Sequence, residues 1–236
     1  MAETTTEDRR APGTTRLAIW LAVVLTLITV NYAGRYASPT TEGQDSRDLL
    51  YEWSTFAAAL IQFGVLLGIV LWLAVGYPKR ELLALRRPRS WATAAAMAVG
   101  VFVGTYVVAF IVGLFGANPG KEQGLTPEGW DSSRAVPFLA NALVVVAFVP
   151  VVEELMFRGL GFSLLVPYGA TVAIGVTGVL FALGHGVLEG LPIFVFLGCG
   201  LAFIRDRSDS VYPTIALHAC FNAIALLLAV TVGGDT

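Results

Sequence analysis

The chain has 236 residues, 56% of them hydrophobic and only 14% charged, with a formal net charge of −2 at pH 7. Soluble domains average about 25% charged and 45–50% apolar residues, so this composition excludes that class and points to a lipid bilayer as the surroundings. The slight negative charge gives no basis for nucleic-acid binding.

Residues 1–16 are polar, with Thr, Pro and Gly, and read as a disordered cytoplasmic tail. Residues 17–33 form an apolar run. Arg9, Arg10 and Arg16 before it resemble the basic start of a signal peptide. The run, however, exceeds the ~7–15 residues of a signal core and no A-x-A site follows, so a first transmembrane helix is preferred. Six more runs near the ~20 residues of a membrane span follow, at 53–75, 91–116, 137–166, 170–188, 191–204 and 211–232. The fourth is too long for one span and is expected to project from the membrane. The sixth is short, which suggests tilt or an irregular start at 189–192. No repeat and no period-2 alternation occurs, so the expected fold is all-α, a polytopic bundle of about seven transmembrane helices.

Orientation follows from the basic residues. The loop between spans two and three carries Lys79, Arg80, Arg86, Arg87 and Arg89 against a single Glu81. The loops on the other side are acidic or balanced, with Glu42, Asp45, Asp48 and Glu52, then Glu122, Glu128 and Asp131. Arg205 and Arg207 fall between spans six and seven. The positive-inside rule then makes this a multi-pass protein, expected in the plasma membrane, with a cytoplasmic N-terminus. Cys199 and Cys220 have no metal-ligand spacing and read as small core residues.

The fourth span contains Glu153-Glu154-Leu155-Met156-Phe157-Arg158, three charges in an apolar run. A charge at membrane depth costs roughly 2.5–3.5 kcal/mol on insertion scales, so each needs a partner or a wet cavity. Glu154 and Arg158 are i,i+4 with the acid first, the better orientation for a helical pair. Glu153 is about 100° away around the helix and has no local cation. The chain's two histidines lie in later spans: His185 ends Phe181-x-x-x-His185 and His218 opens His218-x-x-x-Asn222. From the turn at 167–169, Glu153 and His185 lie roughly 21 and 24 Å away at ~1.5 Å per residue, so antiparallel helices hold them level. His218 joins them if that turn projects about 10 Å beyond the Arg205 loop, which the overlong fourth span independently requires.

Each residue also has a plain structural reading. Glu154 and Arg158 could be an ion pair that holds the helix, Phe181 a packing residue, and Asn222 a polar contact between helices worth about 0.6–2 kcal/mol. Taken together, the two histidines at the depth of an uncompensated carboxylate favour hydrolytic chemistry. Two mechanisms fit. Glu153 and His185 could hold and deprotonate a water while His218 and Asn222 donate to the oxyanion. Alternatively, Glu153, His185 and His218 could bind zinc. No H-E-x-x-H is present.

These residues, in this order, resemble the CPBP/Abi family of intramembrane proteases, relatives of the CAAX prenyl-protein endopeptidases. The family pattern of E-E-x-x-x-R, F-x-x-x-H and H-x-x-x-N on three helices reads here as Glu153-Glu154-x-x-x-Arg158, Phe181-x-x-x-His185 and His218-x-x-x-Asn222. The resemblance covers about 137–228. It implies a protease core over 137–232 behind variable helices at 17–136, with Glu153 as general base and His185 as its water-holding partner. His218 and Asn222 would be oxyanion donors, with Glu154, Arg158 and Phe181 in support. It leaves the metal question open and does not imply a prenylated substrate. The expected activity is endopeptidase cleavage of a membrane-associated peptide or protein. A catalytically silent scaffold or immunity factor of the same fold, and a transporter with a buried proton relay, are the alternatives.

Overall fold

The computed structural model describes residues 13–37, 49–117 and 130–232. Eight helices lie within them: α1 (Thr14–Ala37), α2 (Trp53–Leu73), α3 (Lys79–Leu82), α4 (Trp91–Leu114), α5 (Ser132–Tyr168), α6 (Ala170–Gly184), α7 (Leu191–Ser208) and α8 (Tyr212–Val232). No strand occurs among the described residues. Helices α1, α2, α4, α5 and α8 are each long and apolar enough to cross a membrane. The shorter α6 and the charge-tipped α7 pack among them, and the whole is a helical bundle of an integral, multi-pass membrane protein. Most of the expected tail, 1–12, lies outside the described residues, as do the acidic positions of the loops at 38–48 and 118–129.

Two of the differences from the expected helix ends bear on the site. The fifth span, expected to 188, stops at Gly184, so His185 caps the helix instead of lying within it. The cause is the pair of glycines around it: Gly186 adopts φ +66°, and the last N–H groups bond three residues back, His185 to Ala182 and Gly186 to Leu183. The sixth span, expected to 204, continues to Ser208 and stops where Asp209 turns left-handed at φ +57°. Arg205 is therefore helical and buried, not a loop residue.

Helix α5 is irregular. Its start is capped by Asp131, whose carboxyl is held down at about 2 by hydrogen bonds from Ser133 and Arg134. Two π-helical stretches, Val144–Phe148 and Leu155–Gly161, flank the α-helical Val149–Glu154. Pro150 has no N–H to return to the preceding turn, which accounts for the first stretch. The wider turns leave carbonyls available to other helices. Val145 accepts from Asn222 of α8 (2.9 Å), Met156 from the Trp20 indole of α1 (3.0 Å), and Arg158 from the Arg205 guanidinium of α7 (3.0 Å). The overlong fourth span is thus bonded to three other helices, and its Leu155–Leu165 stretch is almost wholly buried while the final turn, Val166–Tyr168, is exposed.

Helices α6 and α7 make the closest approach. A Cβ on Gly178 would fall 2.5 Å from the Cys199 sulfur, and one on Gly198 would fall 2.6 Å from the Gly178 carbonyl oxygen. Only glycine permits this contact, the usual device where lipid offers no hydrophobic drive to pack helices. Beneath them the loop after α3 docks on the α7–α8 turn. Arg86 and Arg205 both pair with Asp209, and Ser210 donates to the Arg86 carbonyl.

Candidate active site

Glu154 and Arg158 are both fully buried on α5 and form the expected i,i+4 pair, with Nη1 2.8 Å from Oε1. The pair is not isolated. Arg158 Nη2 donates to the Gly198 carbonyl at 2.8 Å, a contact that the close approach of α6 and α7 makes possible. The guanidinium also lies 4.3 Å from the centre of the Phe181 ring. Phe181 thus carries the charge on its face while its edge meets Phe157 and His218. Burying two charges is costly unless both are fully satisfied. Here the partners come from three helices, while Oε2 of Glu154 and Nε of Arg158 have no hydrogen-bond partner.

The same Oε1 of Glu154 accepts a hydrogen bond from Nδ1 of His218 at 3.0 Å. The other ring nitrogen, Nε2, lies 3.6 Å from Oε2 of Glu153. His218 therefore sits between the two adjacent carboxylates, with one ring nitrogen toward each. Oε2 of Glu153 is buried and has no hydrogen-bond partner. Oε2 of Glu154 is likewise buried without a hydrogen-bond partner, so each of the two carboxylates keeps an acceptor that the described side chains do not fill.

His185 reaches the site from the end of α6. Because its backbone N–H has tightened onto Ala182, the Phe181 carbonyl is left free, and the His185 ring donates Nδ1–H to it at 2.8 Å. That bond fixes the tautomer and leaves the Nε2 lone pair. The ring is stacked on Phe194 of α7, with centroids 4.3 Å apart. Asn222 lies one turn beyond His218 on α8 and gives one N–H to the Val145 carbonyl, which leaves the second N–H of the amide.

Glu153, His185, His218 and Asn222 all line a cavity of about 400 Å³. Its remaining walls are largely apolar and come from α1, α2, α5, α6, α7 and α8 and from Leu50 just before α2. The structure thus brings the four residues singled out in the sequence to one space. The nearest imidazole to Glu153 with a measured contact is that of His218, not His185. Among the described residues no group of three His, Cys, Asp or Glu side chains is close enough to hold a metal ion. Both histidines have Nδ1 bonded, His218 to Glu154 and His185 to a backbone carbonyl, so Nε2 is the remaining ring nitrogen of each.

The sequence reading passed over several contributors. Gly198 and Val145 act through backbone carbonyls, which no side-chain pattern announces. Asn31 lines the cavity from α1, and its polar side chain inside an apolar run was a signal in plain view.

Residues 135–224, the stretch that holds every motif residue above, match the family described as type II CAAX prenyl endopeptidase Rce1-like. A protein of Bacillus subtilis (strain 168) named "Putative membrane peptidase YdiL" is 23% identical over 215 residues, covering 88% of this chain and 82% of its own length. No solved structure matches. Together these similarities support a protease of the CAAX type.

Proposed function

We propose that this protein is an intramembrane endopeptidase that uses a glutamate-activated water to cleave a membrane-associated peptide or protein. The observation that carries the reading is that Glu153 lines one largely apolar cavity together with His185, His218 and Asn222, and that its Oε2 accepts no hydrogen bond. Glu153 takes a proton from water, and the Nε2 lone pair of His185 holds the same water. The oxygen attacks the peptide carbonyl carbon. The carbonyl oxygen becomes an oxyanion and receives hydrogen bonds from the second N–H of Asn222 and from Nε2–H of His218. His218 acts here as the doubly protonated imidazolium, because its Nδ1–H stays on Glu154. Collapse of the intermediate breaks the C–N bond, and Glu153 returns its proton to the leaving amine. Glu154 and Arg158 hold His218 in place, and Val145 does the same for Asn222. The cytoplasmic cluster Lys79–Arg89 supports an orientation with the N-terminus inside.

The test is purified protein in detergent incubated with a library of membrane-anchored peptides, wild type beside Glu153→Ala. Cleavage by the wild type and not by the mutant supports the reading. Retention of a peptide without cleavage by either would mean a silent scaffold, and proton-coupled uptake into vesicles would mean a transporter.

A further inference from the structure

We infer that Asn31 of α1 is a positioning residue for His185, so that the first helix is part of the active site although it lies outside the matched domain. Trp20, Val24, Leu27 and Asn31 are spaced i, i+4, i+7 and i+11 and so form one stripe of α1. Trp20 and Val24 are buried, the Trp20 indole is bonded to Met156, and Val24, Leu27 and Asn31 line the cavity. Asn31 is the polar end of an apolar wall.

Its amide Nδ2 donates to the Gly184 carbonyl at 2.6 Å. Gly184 is the last residue of α6, where the helix has no N–H of its own to offer. The residue that follows is His185. Two residues on, Gly186 lets α1 come close: a Cβ there would lie 3.3 Å from the Asn31 Cβ, and its φ of +66° already favours glycine. The turn that aims the His185 ring is thus bonded to α1 at its first residue and packed on α1 at its third. Without the Asn31 bond the end of α6 is free to unwind or shift, and the Nδ1–H bond to Phe181 goes with it.

The chain has only two histidines, so ¹⁵N-histidine labelling yields two imidazoles, His185 and His218. Spectra of protein in micelles would be taken about two pH units above the ordinary imidazole value of ~6.5. Wild type should show His185 as one fixed Nδ1–H tautomer. Asn31→Leu, of similar size but without the donor, should collapse its two nitrogen signals toward an average and leave His218, the internal measure of folding, unmoved. Asn31→Asp provides the same test if the leucine variant does not fold. An unchanged His185 spectrum in a folded variant overturns the inference. Its kinetic consequence rests on the proposed function. Asn31→Leu should lower kcat on the order of 10- to 100-fold with little change in KM, and lower it no further when His185 is already Ala. A spectral change without a kinetic one would uphold the positioning and contradict the part given to His185. Loss of kcat that persists in the His185→Ala background would show that Asn31 acts otherwise, and would overturn it.

Discussion

His218 and Glu154 are bonded across two helices, Nδ1 to Oε1 at 3.0 Å, through the same oxygen that pairs with Arg158. One carboxylate therefore serves a structural cation and a site imidazole together, and Glu154 cannot be altered without disturbing both. Glu154→Gln should lower thermal stability and also lower turnover, whereas Arg158→Ala should act first on stability. Breaking a buried pair leaves a charge alone at about 3–5 kcal/mol, so the double variant should cost far less than the two single losses combined. Additive losses of melting temperature would refute the coupling.

Asn222 carries two burdens. Removing it leaves the Val145 carbonyl unpaired, a cost of about 1–3 kcal/mol. It also removes one oxyanion donor, typically worth ~10²–10³ in turnover. Asn222→Ala should accordingly lose some stability while kcat falls by that factor and KM holds, as expected of a contact made mainly in the transition state. A rise in KM with kcat unchanged would assign Asn222 to substrate binding instead.

The close approach of α6 and α7 gives a test with its own control. Gly178→Ala would press a methyl onto the Cys199 backbone nitrogen at 2.7 Å and force the helices apart, at about 1–3 kcal/mol. Gly175→Ala, one turn earlier and with open space around it, should be neutral or slightly stabilising. Melting curves of the two variants in one detergent decide it. Equal effects would mean the packing is looser than described.

The helical class and the motif residues were legible because burying a charge in lipid is costly enough to make Glu153, Glu154 and Arg158 conspicuous. The level of Glu153 against His185 followed from rise per residue alone. Less legible were features that arise from backbone strain. Nothing in the pattern of 137–166 announced two π-helical stretches, and the helix end at Gly184 depended on the φ of Gly186. Arg205 was read as a loop charge because its burial depends on a carbonyl, that of Arg158, which π-helical geometry exposes.

Topology is tested independently of chemistry. A cysteine introduced near Arg86 should be shielded from impermeant reagents in intact cells, and one near Asp45 should label. The reverse pattern would invert the orientation and move the site to the other face.

The metal question has a direct answer in elemental analysis. The metal-free reading expects active protein without stoichiometric zinc and activity that survives chelators. Zinc that is lost together with activity in His218→Ala, and restored with it by added metal in chelator-treated wild type, would replace the proposed mechanism by a metal one.

The central claim is that Glu153 is the base. Its most direct test is the turnover of Glu153→Gln on a cleaved peptide, in protein whose melting temperature matches wild type. The substitution keeps the shape and removes the proton acceptor, so cleavage should fall to the background rate while peptide binding persists. Turnover within about tenfold of wild type, less than the ~10²–10⁴ ordinarily contributed by a general base, would contradict the account.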